Sequence, residues 1–180
     1  MSSGPAIVWL RSDLRLSDNP ALDAAVATGG EVVVVYVRDE VTVGSRPLGA
    51  ASKWWLHHSL TALESSLEAI GGSLVLRTGS GPDVIRNLVS ETGADAVIWN
   101  RRYGLAREAD AALKENLRGQ GLTCESFAGN LLFEPWTVRT GEGNPFKVFT
   151  PFWRAALASD PPRAPLPAPR ELTSLPTVAS

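Results

Sequence analysis

Two short runs gather planar, multidentate hydrogen-bonding side chains: Arg11-Ser12-Asp13 and Asn100-Arg101-Arg102-Tyr103. Guanidinium groups offer paired donors that suit a carboxylate or a phosphate, and a tyrosine beside them can stack on a flat ring. Both runs point to recognition of a planar, anionic or acceptor-bearing small molecule. Each also has a structural reading. Arg11 and Asp13 can pair with one another or cap a following helix, and adjacent side chains such as Arg101 and Arg102 rarely point the same way, so one of them belongs to a solvated loop.

Other chemistry is poorly supported. Gly79-Ser80-Gly81-Pro82-Asp83-Val84 begins like a dinucleotide fingerprint but has Val84 where the third glycine belongs, and it follows the third strand, so it reads as a turn and helix cap. His57 and His58 are neighbours without a Cys or carboxylate at metal spacing; His57 is expected on a solvated face and His58 in packing. The single cysteine, Cys124, excludes an intramolecular disulfide and a multi-cysteine metal site, and no Gly-x-Ser-x-Gly elbow exists for acyl transfer. With 17 Lys and Arg against 19 Asp and Glu, the net charge is -2, and the pI is about 5.7. That balance lacks the cationic excess that phosphate-backbone binding needs. No apolar run approaches a membrane span and no signal-type segment opens the chain, which places it by default in the cytoplasm.

The elements that would position these side chains alternate regularly. Apolar, β-branched runs at 6–10, 31–37, 73–77, 96–100 and 122–127 read as strands buried on both faces, with helical patterns between them. The chain of 180 residues, 44% hydrophobic with mean hydropathy -0.01, suits one soluble domain. The alternation predicts an α/β fold, a doubly wound five-stranded parallel sheet with helices on both faces. Asn19-Pro20 and Ser80-Gly81-Pro82 announce two helix starts. Leu56, Leu60, Leu63, Leu67 and Ile70 form the apolar stripe of the second helix, which Gly71-Gly72 ends, while Lys53, His57, Thr61, Glu64 and Glu68 share another face. A fourth helix follows Tyr103. Trp9 and Trp99 lie inside strands and read as core, and at least one of Trp54 and Trp55 is expected against the sheet. Residues 129–152 show no sustained period, and proline dominates 161–176, as in an extended linker. In a sheet ordered 3-2-1-4-5, ligands bind at the strand-order reversal, between the exits of the first and fourth strands, where the two polar runs sit.

Three collinear stretches resemble the DNA photolyase/cryptochrome family. The first runs from Ile7-Val8-Trp9-Leu10-Arg11-Ser12-Asp13-Leu14-Arg15 to Asp18-Asn19, with Leu10 where the family usually has Phe. The second is Lys53-Trp54-Trp55-Leu56-His57-His58, and the third Lys147-Val148-Phe149-Thr150-Pro151-Phe152. The resemblance implies a Rossmann-like α/β domain over residues 1–133, a domain-end segment over 134–160 and an interdomain linker over 161–180. It implies that the domain holds an antenna chromophore: methenyltetrahydrofolate, an 8-hydroxy-deazaflavin or FMN. The chromophore would pass excitation to FAD in a helical C-terminal domain outside this sequence, where light-driven repair of pyrimidine dimers in DNA takes place. By position, the resemblance assigns antenna contacts to Arg11, Asp13, Asn100, Arg102 and Tyr103, with Lys53 reaching an anionic tail. Glu108 stands near a glutamate that contacts folate in some members; the family's Tyr-x-Pro is absent, since Tyr103-Gly104-Leu105 stands in its place. The implied partners are the chromophore, the FAD domain and, for the longer protein, damaged DNA; a monomer is expected. A cryptochrome photoreceptor shares this domain, and a stand-alone nucleotide-binding domain taking ATP is a third reading.

Overall fold

The computed structural model describes residues 4–42, 47–175, 178 and 180. Five strands and five helices follow one another: β1 (Ala6–Leu10), α1 (Pro20–Val26), β2 (Val32–Arg38), α2 (Ala50–Glu68), β3 (Leu74–Thr78), α3 (Gly81–Thr92), β4 (Ala96–Asn100), α4 (Ala106–Gly119), β5 (Thr123–Phe127) and α5 (Phe149–Ala158). The strands form one parallel sheet in the order β3-β2-β1-β4-β5. This is the doubly wound topology expected from the alternation of strand and helix patterns.

Alternation along β1 divides the core. Ala6, Val8 and Leu10 pack with Ala21, Leu22 and Ala25 of α1 and with Leu63 and Leu67 of α2 on one face. Ile7 and Trp9 pack with Ile85 and Leu88 of α3 and with Leu113 and Leu117 of α4 on the other. Successive strand residues point to opposite faces, so a continuous apolar run is what a doubly covered central strand requires. The edge strands differ: Leu76 of β3 and Glu125 of β5 are exposed, because each edge is covered less completely than the centre.

Local signals act where they stand. Asn19 caps α1, its side chain accepting from the Leu22 amide at 3.2 Å, with Pro20 in the first turn. Trp9 and Trp99 are buried in edge-to-face contact at 5.9 Å. Trp54 and Trp55, by contrast, are 62% and 70% exposed, which corrects the expectation that one of them packs on the sheet. They precede the buried stripe of α2, which consists of Leu63 and Leu67 in the helix's second half. His57 is exposed as expected; His58 packs on the Trp54 ring at 4.4 Å but is also exposed.

The chain divides into two compact units, Met1–Gly129 with Leu166–Ser180, and Asn130–Pro165. The proline-rich run is irregular and extended, as its composition requires, yet its second half is part of the α/β unit. Val32 N–H donates to Thr173 carbonyl at 2.8 Å, Leu172 N–H donates to Ile70 carbonyl at 2.8 Å, and Leu172 is buried in the α1/α2 core cluster. The other unit carries α5, absent from the sequence reading. Its Pro151 sits in the first turn, where no intrahelical N–H is lost, and Phe149 stacks on Trp153 at 6.2 Å.

Candidate functional site

Parallel pairing of β1 with β4 sets the two polar runs side by side. The space directly between them is filled. Asn100 donates from Nδ2 to Asp13 Oδ2 and to Asn19 Oδ1, each at 2.7 Å, and its Oδ1 accepts from the Ala21 amide at 3.2 Å. Asp13 Oδ1 accepts from the Arg11 backbone amide at 2.8 Å. Both side chains are buried, and Gly129 packs so closely on the Asn100 amide that a Cβ there would lie 2.5 Å from Asn100 Cγ. The side chains of Asp13 and Asn100, both assigned to ligand contact by position, are turned inward. Their polar atoms brace the β1 exit against the β4 exit and the start of α1.

The open space lies to the other side of β1. An inner cleft of about 280 Å³ has walls that include Trp9, Arg11, Tyr36, Asp39, Arg102 and Ala106. An outer cleft of about 690 Å³ lies between the β1 and β2 exits and α2, with Arg15, Ser52, Trp55 and Leu56 in its wall. Arg11, Ser12, Tyr36 and Leu48 line both.

Arg11 dominates this region. Its side chain is 8% exposed, its guanidinium carbon lies 4.5 Å from the Trp9 ring centroid, and Nη2 reaches the Asn100 carbonyl and lies 3.6 Å from Asp110. Among the described residues, Nε and Nη1 find no hydrogen-bond partner, and neither does Trp9 Nε1. Burial pushes the Arg11 pKa down to about 10, against the pull of Asp110, so the group is still cationic at neutral pH. Arg102 bonds Asp110 with two nitrogens, at 3.1 and 2.5 Å, and lies 5.4 Å from the Trp9 ring. Burial also raises the Tyr36 phenol, which stays a donor. Aromatic faces beside desolvated, incompletely satisfied donors suit a flat ligand that carries acceptor atoms.

Among the residues assigned by position, Arg11 and Arg102 come together at the inner cleft. Lys53 pairs with Glu40 at 3.5 Å and lies in neither wall. Tyr103 is half-buried in the loop before α4, Glu108 is exposed in the first turn of α4, and neither is in the wall of the inner or the outer cleft. Tyr36 and Trp55 were missed. Tyr36 lies in the second half of β2 and Trp55 in the second turn of α2, so their types carried the signal but their directions did not. The Gly79-Ser80-Gly81 turn proves to be a cap filled from within. Asp39 accepts from the Gly81 amide at 2.9 Å, and a Cβ on Gly81 would meet the Trp9 ring at 2.5 Å. Burial pulls the Asp39 carboxyl upward, but hydrogen bonds from Thr42, Gly81 and Val41 outweigh it and hold the pKa below the ordinary value.

A family model described as DNA photolyase matches residues 6–170. A deoxyribodipyrimidine photo-lyase of Agrobacterium fabrum is 54% identical over 177 residues, which are 97% of this chain and 36% of that protein. The crystal structure of a bacterial class III photolyase from Agrobacterium tumefaciens superposes with a TM-score of 0.91 at 53% identity, covering 100% of this chain and 37% of the other. Cryptochrome-1 of Arabidopsis thaliana is 38% identical over 96% of this chain and 26% of its own length. The chain therefore spans little more than a third of its photolyase relatives.

Proposed function

Because this chain belongs to the DNA photolyase family, we propose that it is the light-harvesting α/β domain of a deoxyribodipyrimidine photolyase. In this reading the domain binds an antenna chromophore and, within a longer protein, passes the excitation to FAD held by a helical C-terminal domain that repairs pyrimidine dimers in DNA. The observation that carries the chromophore assignment is the inner cleft: donors on buried Arg11 and on Trp9 with no partner among the described residues, beside aromatic rings, at the carboxyl ends of parallel strands. Methenyltetrahydrofolate, an 8-hydroxy-deazaflavin and FMN all present a flat ring with acceptor atoms at its edge. In this reading Arg11 and Arg102, which both line the inner cleft, meet that edge.

The photolyase reading is favoured over cryptochrome by 54% against 38% identity. A stand-alone nucleotide-binding domain would need a free phosphate site at a helix start, whereas the Gly81 amide of α3 already serves the Asp39 carboxylate. DNA enters only through the longer protein, since this chain has a net charge of -2. The reading carries a cytoplasmic monomer with it. Among the described residues, no helix is long and apolar enough to cross a membrane.

The test is ultraviolet-visible absorption of the purified chain after incubation with each of the three chromophores and removal of the excess. Retained absorbance above about 300 nm, where protein side chains contribute little, is the expected result for one of them. Loss of all three on desalting would refute the antenna role.

A further inference from the structure

Residues 130–165 make up a fifth of the chain, yet among the described residues they hold seven of the thirteen large apolar side chains left exposed. Four of the seven belong to one helix. Val148, at the N-cap of α5, and Phe149, Trp153 and Leu157 within it are 63%, 70%, 45% and 66% exposed. Phe149, Trp153 and Leu157 follow one another at intervals of four, so they share a helix face, and the first two rings stack at 6.2 Å into a continuous ridge. Another face is apolar too: Ala156 is buried, and Phe152 and Ala155 are half-buried. A helix that is apolar nearly all round belongs in an interior, and this chain covers only one of those faces.

Size and charge narrow what covers the other. Together the four side chains expose on the order of 500 Å², within the roughly 300–600 Å² of the largest apolar patch on a typical monomer but short of the roughly 800 Å² per partner that a stable complex of separate chains takes. Joining the two surfaces in one chain removes that shortfall, because a linker holds them at an effective concentration of about millimolar. The charged residues of 147–158 are both cations, Lys147 and Arg154, which suits a partner with an acidic rim. This chain matches 36% of the Agrobacterium fabrum photolyase, so most of that protein's length lies outside the match.

We propose that the Phe149, Trp153 and Leu157 face of α5 is the docking surface for the remainder of a longer photolyase chain, which lays an apolar helix with an acidic rim along it. This rests on the reading of the chain as one domain of such a protein and deepens it by naming where the domains join. The stacked rings form the ridge, a groove between side chains three and four apart on the partner helix receives it, and Lys147 and Arg154 meet carboxylates at the rim.

The experiment puts this chain in place of the matching 36% of the Agrobacterium fabrum protein. Thermal unfolding of that chimera and of the 180-residue chain is then compared, each as wild type and with Phe149→Asp and Leu157→Lys together. Asp in a first helical turn and Lys in a last turn both suit the helix dipole, so the pair does not weaken α5 itself. The isolated chain is expected to keep its midpoint within about 1 °C, as surface substitutions generally do. The chimera's single transition should fall by about 5 °C or split in two. Trp54→Ala, at an exposed aromatic outside residues 130–165, is the control and should be silent in both. No fall in the chimera, an equal fall in chain and chimera, or a wild-type chimera that does not unfold in one transition would each overturn the proposal. Sedimentation of the isolated chain reads the competing occupant: a monomer is expected, and a dimer that the double variant dissolves would assign the face to a second copy and overturn the proposal as well. All of these outcomes leave the antenna reading standing, because retained chromophore absorbance of the isolated chain tests it separately, and its loss in wild type refutes that reading whatever the chimera does.

Discussion

Asn100 uses both amide hydrogens and its carbonyl oxygen on Asp13, Asn19 and Ala21, so its role is to hold two strand exits in register with the start of a helix. Asn100→Ala would leave one oxygen of the buried Asp13 carboxylate, and the Ala21 backbone amide, without the partner that Asn100 supplies. A loss of about 2–4 kcal/mol in urea unfolding is expected, given roughly 1–3 kcal/mol for each buried group left unsatisfied. Gly129→Ala should reproduce part of that loss by pushing the Asn100 amide aside. A second residue-level prediction concerns Cys124, 1% exposed, whose thiol burial raises from 9.0 to about 11. Between those values the unfolded chain gives up its thiol proton while the folded chain keeps it. The folded state is therefore favoured fully below pH 9, and that contribution is lost as pH rises toward 11. The stability of wild type relative to Cys124→Ala should fall over this interval, and a flat difference would place the thiol in contact with water. Residue type told much here and direction little. Arg11, Asp13 and Asn100 could be picked from the sequence as a polar cluster beside two strands. Which of them face a cleft depends on Asn19 and Gly129, partners distant in sequence from Asn100, and no local pattern encodes that.

Strands at the centre of the sheet were legible because a doubly covered strand is apolar without interruption, and the boundaries of β1 and β4 fall where the apolar runs begin and end. Helix α2 was legible in its period but not in its depth. Leu63 and Leu67 alone are fully buried, and the Trp54 and Trp55 end stands over the outer cleft. Leu63→Ala should cost about 2–5 kcal/mol, as truncation of a buried leucine does, whereas Trp54→Ala should change stability by less than about 0.5 kcal/mol. Denaturant midpoints of the two variants test this directly, and a reversed order would mean that α2 presents its other face to the sheet. Helix α5 escaped notice because residues 129–152 show no sustained period and Pro151 stands among them, while proline in a first turn is compatible with a helix.

At the scale of the whole molecule, proline content misleads about where the α/β unit ends. A segment rich in proline cannot form a helix or a central strand, and the sequence justifies calling it extended. Extended does not mean detached. The run 166–175 returns along the β2 side of the sheet, where Val32 N–H and Ile70 carbonyl find their partners on Thr173 and Leu172, and Ser73 and Ser174 hydroxyls lie 2.8 Å apart. Leu172 enters the core beneath Gly71 and Gly72, and a Cβ on Gly71 would lie 2.9 Å from the Leu172 carbonyl oxygen. The close approach depends on those two glycines, which the sequence showed only as a helix end. A chain ending at Pro165 would expose the apolar surface that Leu172 covers and leave the Val32 amide open to water. It should therefore lose about 2–5 kcal/mol of stability, the scale set by removing one buried leucine. Leu172→Ala in the full chain should account for most of that loss, because a partly exposed hydrogen bond contributes only about 1 kcal/mol. If the truncated chain unfolds at the same urea concentration as the full one, the run is a tether and nothing more. If Leu172→Ala is silent while truncation is costly, the backbone pairing with β2, and not the buried leucine, holds the segment in place.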